Sequence, residues 1–265
     1  MFAVLVLGLS FFTAALLIVA GIALVDVFFY GSERNAAEDA RRREWKPPVI
    51  HDDELTQWAT GATAARVRRQ LESRGPNFHG ASLAAEVRDG LNYALRCGEE
   101  SPGATTAHDC PGCSRKVIAV SAPEVLEIAE VIHCRHPENL PEVTRNAHRN
   151  VRDAAHLDAE RHDAAQFVCP LLGKHDVCLA EEARPIQCRG WTHASARSSI
   201  GGEADGFAGA LSRGVAAGLA DELQANGFDG NRYELNSALT VALEMAEVNE
   251  AWVHGRPVFA ECRKV

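Results

Sequence analysis

Cys110 and Cys113 stand two residues apart, and Cys169, Cys178 and Cys188 follow in a second run separated by eight and nine residues. A thiolate is a soft, anionic ligand, and four of them fill a tetrahedral site about 2.3 Å from zinc; iron centres accept the same donors. Cys110-Pro-Gly-Cys113 is the usual two-ligand turn, and it follows a stretch from Glu99 to Asp109 rich in Gly, Ser, Thr and Pro, so backbone amides there can turn toward sulfur. The other ligands would come from a Gly-containing turn between Cys169 and Cys178 and from the Pro-fixed segment Arg184-Pro-Ile-Gln-Cys188-Arg189. Arg184 and Arg189 flank Cys188, where a guanidinium offsets thiolate charge by donating to sulfur or to nearby carbonyls.

The same cysteines also admit a plainer reading, as buried apolar thiols or as disulfides. Cys97, Cys134 and Cys262 read as core or incidental thiols and stay outside the candidate site. His108, His162, His175 and His193 lie near the cysteines in sequence; each reads first as solvated or structural, with His108 and His193 nearest should an imidazole join. No Gly-x-Ser-x-Gly, His-Glu-x-x-His or phosphate-binding glycine loop occurs, so hydrolase and nucleotide-hydrolysing chemistry has no residues to carry it. A net charge of -9 argues against a sequence-independent grip on nucleic acid, which needs clustered Lys and Arg.

Which oxidation state the thiols keep depends on the N-terminus. From Phe2 to Val25 no residue is charged, and a helix of that length at about 1.5 Å per residue covers a hydrocarbon core of roughly 30 Å. The segment has no Lys or Arg before it, unlike a cleaved signal peptide. Arg34 and Arg41-Arg42-Arg43 follow the span, so the positive-inside rule places residues 31–265 in the cytoplasm, attached to the inner membrane by one helix. In that compartment the cysteines stay reduced, which favours metal over disulfide.

The elements that must position the cysteines are mainly α-helical. Residues 1–30 read as the anchor and 31–53, with Pro47-Pro48, as a linker. Residues 54–96 form a helical segment, 97–192 the cysteine-cluster domain, and 193–265 a helical C-terminal extension. The spacing predicts a helix from Glu54 to Glu72 with Leu55, Trp58, Ala62, Ala65 and Arg69 on one face. A second runs from Ser82 to Arg96 with Leu83, Val87, Leu91 and Leu95 as its apolar stripe. Ser121-Ala-Pro-Glu124 is a capping box opening a third helix with Val125, Ile128 and Ile132 inward. A long polar helix is expected from Pro141 to Phe167, burying Val143, Ala147, Val151 and Ala154. Further helices are expected at 206–226 and 231–248, the latter burying Leu235, Leu239, Leu243 and Ala246. No run alternates long enough to predict a strand.

These motifs resemble the YkgJ-type cysteine-cluster proteins, a family of zinc- or iron-chelating domains. The family pattern is Cys-x2-Cys-Cys, a helix opened by Ser or Thr with Glu, Cys-Pro-hydrophobic-Leu, a polar turn, Cys, and Arg-Pro-x-x-Cys-Arg. Here it reads as Cys110-Pro-Gly-Cys113, Ser121 to Glu124, Cys169-Pro170-Leu171-Leu172, Cys178 and Arg184-Pro185-Ile186-Gln187-Cys188-Arg189, covering residues 108–192. Ser114 stands where the family has its adjacent second cysteine, leaving five sulfurs for a site that needs four. The resemblance implies one zinc or iron centre, and no reaction. A similar layout in flagellin lysine-N-methylases, which are associated with an iron–sulfur cluster and S-adenosylmethionine, offers an enzymatic alternative, although no Gly-rich strand-turn-helix is present to cradle that cofactor.

Overall fold

The computed structural model describes residues 52–75, 78–98, 117–165, 167–195 and 207–265. The expected membrane span, the linker and the Cys110–Cys113 turn therefore lie outside the described residues. What is described is mainly helical, and it forms one compact unit around one core. Among the described residues no helix is long and apolar enough to cross a membrane.

Helix α1 spans Asp52–Glu72, with Asp52, Asp53 and Glu54 in its first turn and Arg69 in its last, charges that complement the helix dipole. Its buried row is Leu55, Ala59, Thr63, Val67 and Leu71, while Trp58 is 60% exposed. The expected face was thus misplaced, and the partner explains why. Helix α7, Phe207–Ala225, lies against α1 backbone to backbone: a Cβ at Gly214 would strike Thr56 O and come within 2.6 Å of the Ala59 Cβ, and one at Gly218 would strike Thr60 O. Only small side chains fit that seam, so Ala59 and Thr63 are buried and Trp58 turns out. Thr56 Oγ1 donates to Ala210 O at 3.1 Å, and Arg68 donates twice to the Glu222 carboxylate at 2.9 and 2.8 Å. Both pairs are 154 residues apart in sequence, so the two helices run parallel.

Helix α2, Gly80–Gly98, buries Leu83, Val87, Leu91 and Leu95 as expected. Strand β1, Ala119–Ser121, pairs antiparallel with β2, Arg232–Glu234, with Val120 opposite Tyr233. Three residues cannot show a period of two, which is why this small sheet escapes the sequence. Helix α3, Ala122–Arg135, follows β1 and buries Val125, Ile128 and Ile132.

Helix α4 spans Leu140–Ala154 and stops well short of the expected Phe167. Asp158 is the reason: its carboxylate accepts the Arg161 amide at 2.8 Å and opens a separate short helix, α5, Ala159–Ala164. Val143, Ala147 and Ala154 are buried as expected, but Asn150 takes the fourth place while Val151 is half-buried. Asn150 Nδ2 donates to Val168 O and to Asn236 Oδ1, both at 2.8 Å, tying α4 to the segment before Cys169. Helix α6 is Ile186–Ser195. After α7 the chain turns at Gly227, whose φ of 78° suits glycine. Helix α8, Leu235–Glu244, buries Leu235, Leu239 and Leu243 and ends before Ala246, which is exposed rather than buried. A short helix α9, Val248–Val253, adds Trp252 to the core.

Candidate metal centre

Residues 171–179 form a tight hairpin. Leu179 N–H donates to Leu171 O and Gly173 N–H to Val177 O, both at 2.8 Å, and a 3-10 turn over Lys174–Asp176 closes the tip with Asp176 at φ 59°. Cys169 precedes the first arm, turned back by a Leu172 N–H bond to Cys169 O at 3.1 Å, and Cys178 lies on the second arm opposite Leu172. The hairpin thus sets both residues at its base. The backbone amides of Leu171 and Leu172 at Cys169, and of Ala180 at Cys178, oppose the effect of burial on those thiols. Amides two and three residues beyond a cysteine, aimed back at its sulfur, favour the charged form of that thiol.

Cys188 comes from a different element. It is the third residue of α6, where the helix N-terminus favours an anion. Two side chains fix that terminus: Glu124 Oε1 accepts the Ile186 amide at 2.8 Å, and Gln187 Oε1 accepts the Ala119 amide at 2.6 Å. The other Glu124 oxygen takes the Ser121 amide at 2.8 Å and the Ser121 hydroxyl at 2.7 Å. One buried carboxylate therefore holds the start of α3 and the start of α6 together.

All three thiols are buried, at 8%, 9% and 2% exposure for Cys169, Cys178 and Cys188, and no disulfide joins them to one another. They lie close enough to sense each other's charge. Burial pushes Cys169 up to about 12, raises Cys178, and pushes Cys188 well above the usual thiol range, with the neighbouring sulfurs adding to the rise at Cys188. Without a cation the three thiols hold their protons. Among the described residues, no group of three or more His, Cys, Asp or Glu side chains is gathered at metal-holding distances. Cys110 and Cys113 lie outside the described residues, so the full set of five expected ligands is not described together.

The two arginines divide the tasks that the sequence left open between them. Arg184, 9% exposed, favours the thiolate at both Cys178 and Cys188 by its charge; its Nε is buried with no hydrogen-bond partner among the described residues, and its Nη2 lies 3.9 Å from Glu181 Oε1. Arg189 serves carbonyls: Nε donates to Arg184 O at 2.9 Å, and Nη2 donates to Glu182 O at 2.7 Å and Glu181 O at 3.2 Å. Its Nη1 reaches Asn92 Oδ1 at 3.0 Å, anchoring the loop to α2. Burial lowers the Arg189 guanidinium to about 10. Beside it Glu127 bonds to Arg88, and burial pushes that carboxyl up to about 7 against the pull of Arg88 and Arg189.

Cys134 is exposed and Cys262 is buried in the tail, where its thiol donates to Ser237 O at 3.4 Å, so neither belongs to the cluster. His162 is buried and packs against Phe167 at 5.5 Å between ring centroids. His108 lies outside the described residues. The sequence pointed to Glu124 only as a local cap; its bond to Ile186, 62 residues on, carried no local signal, and neither did the bonds made by Asn92 and Gln187. No protein-family model, curated protein or solved structure matches the chain.

Proposed function

We propose that residues 108–192 hold one zinc or iron centre through four of Cys110, Cys113, Cys169, Cys178 and Cys188, in a domain tethered to the inner membrane by residues 2–25. The observation that supports this reading is the placement of three buried thiols from two separate elements close enough to sense one another's charge, with a buried guanidinium beside them. The carboxylate nearest Arg184 is the half-exposed Glu181 at 3.9 Å, a pair at the limit of ion-pair distance and screened by solvent, so the buried charge is weakly compensated there. Beside thiolates the same cation offsets charge. Residues 169–189 would supply three ligands, and the Cys110–Cys113 turn the remaining one or two. The family resemblance adds the choice of zinc or iron. No reaction is assigned.

Elemental analysis of the purified chain combined with counting of accessible thiols after denaturation tests the reading. One zinc or iron per chain with all eight cysteines as free thiols supports it. Metal-free protein with paired cysteines turns the site into a disulfide framework instead.

A further inference from the structure

A second feature of the molecule owes nothing to sulfur. A cleft of about 510 Å³ opens between α1 and α2, floored by Leu211 and Val215 of α7. Trp58 and Tyr93 line it while remaining 60% and 59% exposed. Three guanidinium groups, Arg66, Arg69 and Arg96, line it too. Arg66 pairs with Glu86 at 2.9 Å, and Asp89, the other acid of the cleft, pairs with Arg88. Arg69 and Arg96 have no carboxylate partner among the described residues. A chain of net charge -9 thus carries a cleft whose uncompensated groups are positive.

Gly90 sharpens this. It sits inside α2, where glycine weakens a helix relative to alanine. A Cβ there would strike the Arg66 Nη1 atom, so the missing side chain leaves room for the tip of that guanidinium to reach the α2 backbone as part of the cleft wall. Flat aromatic faces, an apolar floor and forked donors that match phosphate or carboxylate oxygens together describe a receptor for one chemical class. The volume suits a small molecule.

We propose that this cleft binds a small anion built on a flat ring, an aryl or heteroaryl phosphate or carboxylate, with the ring against Trp58 and Tyr93 and the anionic group held by Arg69 and Arg96. The proposal is independent of the metal reading.

Phenyl phosphate is the probe, titrated by calorimetry into the full chain in neutral detergent micelles, with protein-free micelles subtracted and with phenol and inorganic phosphate as separate arms. Saturable one-to-one binding of phenyl phosphate, tighter than either fragment, is expected. The double variant Arg69→Gln/Arg96→Gln should weaken it by about tenfold or more, the scale of a lost guanidinium–phosphate pair. Trp58→Ala should weaken it with the phosphate arm unchanged, and Gly90→Ala should weaken it by displacing Arg66. All these positions except Gly90 are solvent-facing, so circular dichroism should stay that of the parent. Cys178→Ser should leave the binding intact even where metal is lost. Absence of saturable binding, or equal affinity in the parent and in both exposed-site variants, overturns the proposal; binding of inorganic phosphate as tight as that of phenyl phosphate overturns the aromatic part of it.

Discussion

Glu124 accepts the Ile186 amide at 2.8 Å across 62 residues of sequence, and this bond joins the helix that follows β1 to the helix that carries Cys188. The carboxylate is 6% exposed and also holds Ser121 through two bonds. Hydrogen bonds to a charged group contribute about 1.5–3 kcal/mol, and orphaned buried donors cost more than the bond is worth. Glu124→Ala should therefore lower stability by about 3 kcal/mol in urea unfolding, and Glu124→Gln by less, because one carbonyl oxygen still accepts. A loss below about 1 kcal/mol for the alanine variant would show that the two helix starts hold without it.

Two glycines predict opposite signs. Gly214→Ala puts a methyl group against Thr56 O at the α1–α7 seam and should destabilise by about 1–3 kcal/mol. Gly61→Ala, in the middle of α1 with nothing within 4 Å of an added Cβ, should stabilise by up to about 1 kcal/mol. Thermal melts of the two variants beside the parent decide the matter, and changes of the same sign would contradict the described packing.

The arginines separate in the same way. Arg184→Met removes the positive charge that favours the Cys178 and Cys188 thiolates and should lower metal affinity by about 10- to 100-fold, with Arg184→Lys recovering part of it. Arg189→Met strips the carbonyls of Glu181, Glu182 and Arg184 of their donor and should instead lower the stability of the metal-free protein, read by thermal unfolding. Equal effects of the two substitutions on affinity would erase the division of roles.

Much of this was legible in the sequence, and the failures have physical causes. The stripe of α2 and the start of α3 follow from local periodicity and a local cap. The face of α1 did not, because Trp58 is as apolar as Ala59 and only the glycine seam of a helix 154 residues away rejects the larger ring. The end of α4 was missed because Asp158 competes as a cap within an otherwise helical pattern. Near the expected ligands, the Gly-containing turn between Cys169 and Cys178 was readable from the sequence, because the hairpin at 171–179 needs only near neighbours. Glu124 to Ile186 and Arg189 to Asn92 are long-range bonds with no sequence periodicity to announce them.

The buried thiols also set a pH dependence for the metal-free protein. Their folded-state values are raised above the ordinary thiol value of 9.0, to about 12 for Cys169, so at intermediate pH the folded protein binds more protons than the unfolded chain. The stabilisation is complete below pH 9 and is lost as pH rises through that window, by about 1 kcal/mol per pH unit for each buried thiol. Urea unfolding of chelator-treated protein between pH 8 and about pH 11 should show the decline, and Cys169→Ala should reduce it. A flat profile would mean that the thiols are not held protonated by burial.

The most direct measurement is metal content per chain in protein purified without added metal, compared between Cys178→Ser and Cys134→Ser. The arrangement of Cys169, Cys178 and Cys188 predicts one zinc or iron in the parent, the same in Cys134→Ser because that thiol stands exposed and apart, and a large loss in Cys178→Ser. Parent protein free of zinc and iron, or equal metal content in the two variants, would contradict it.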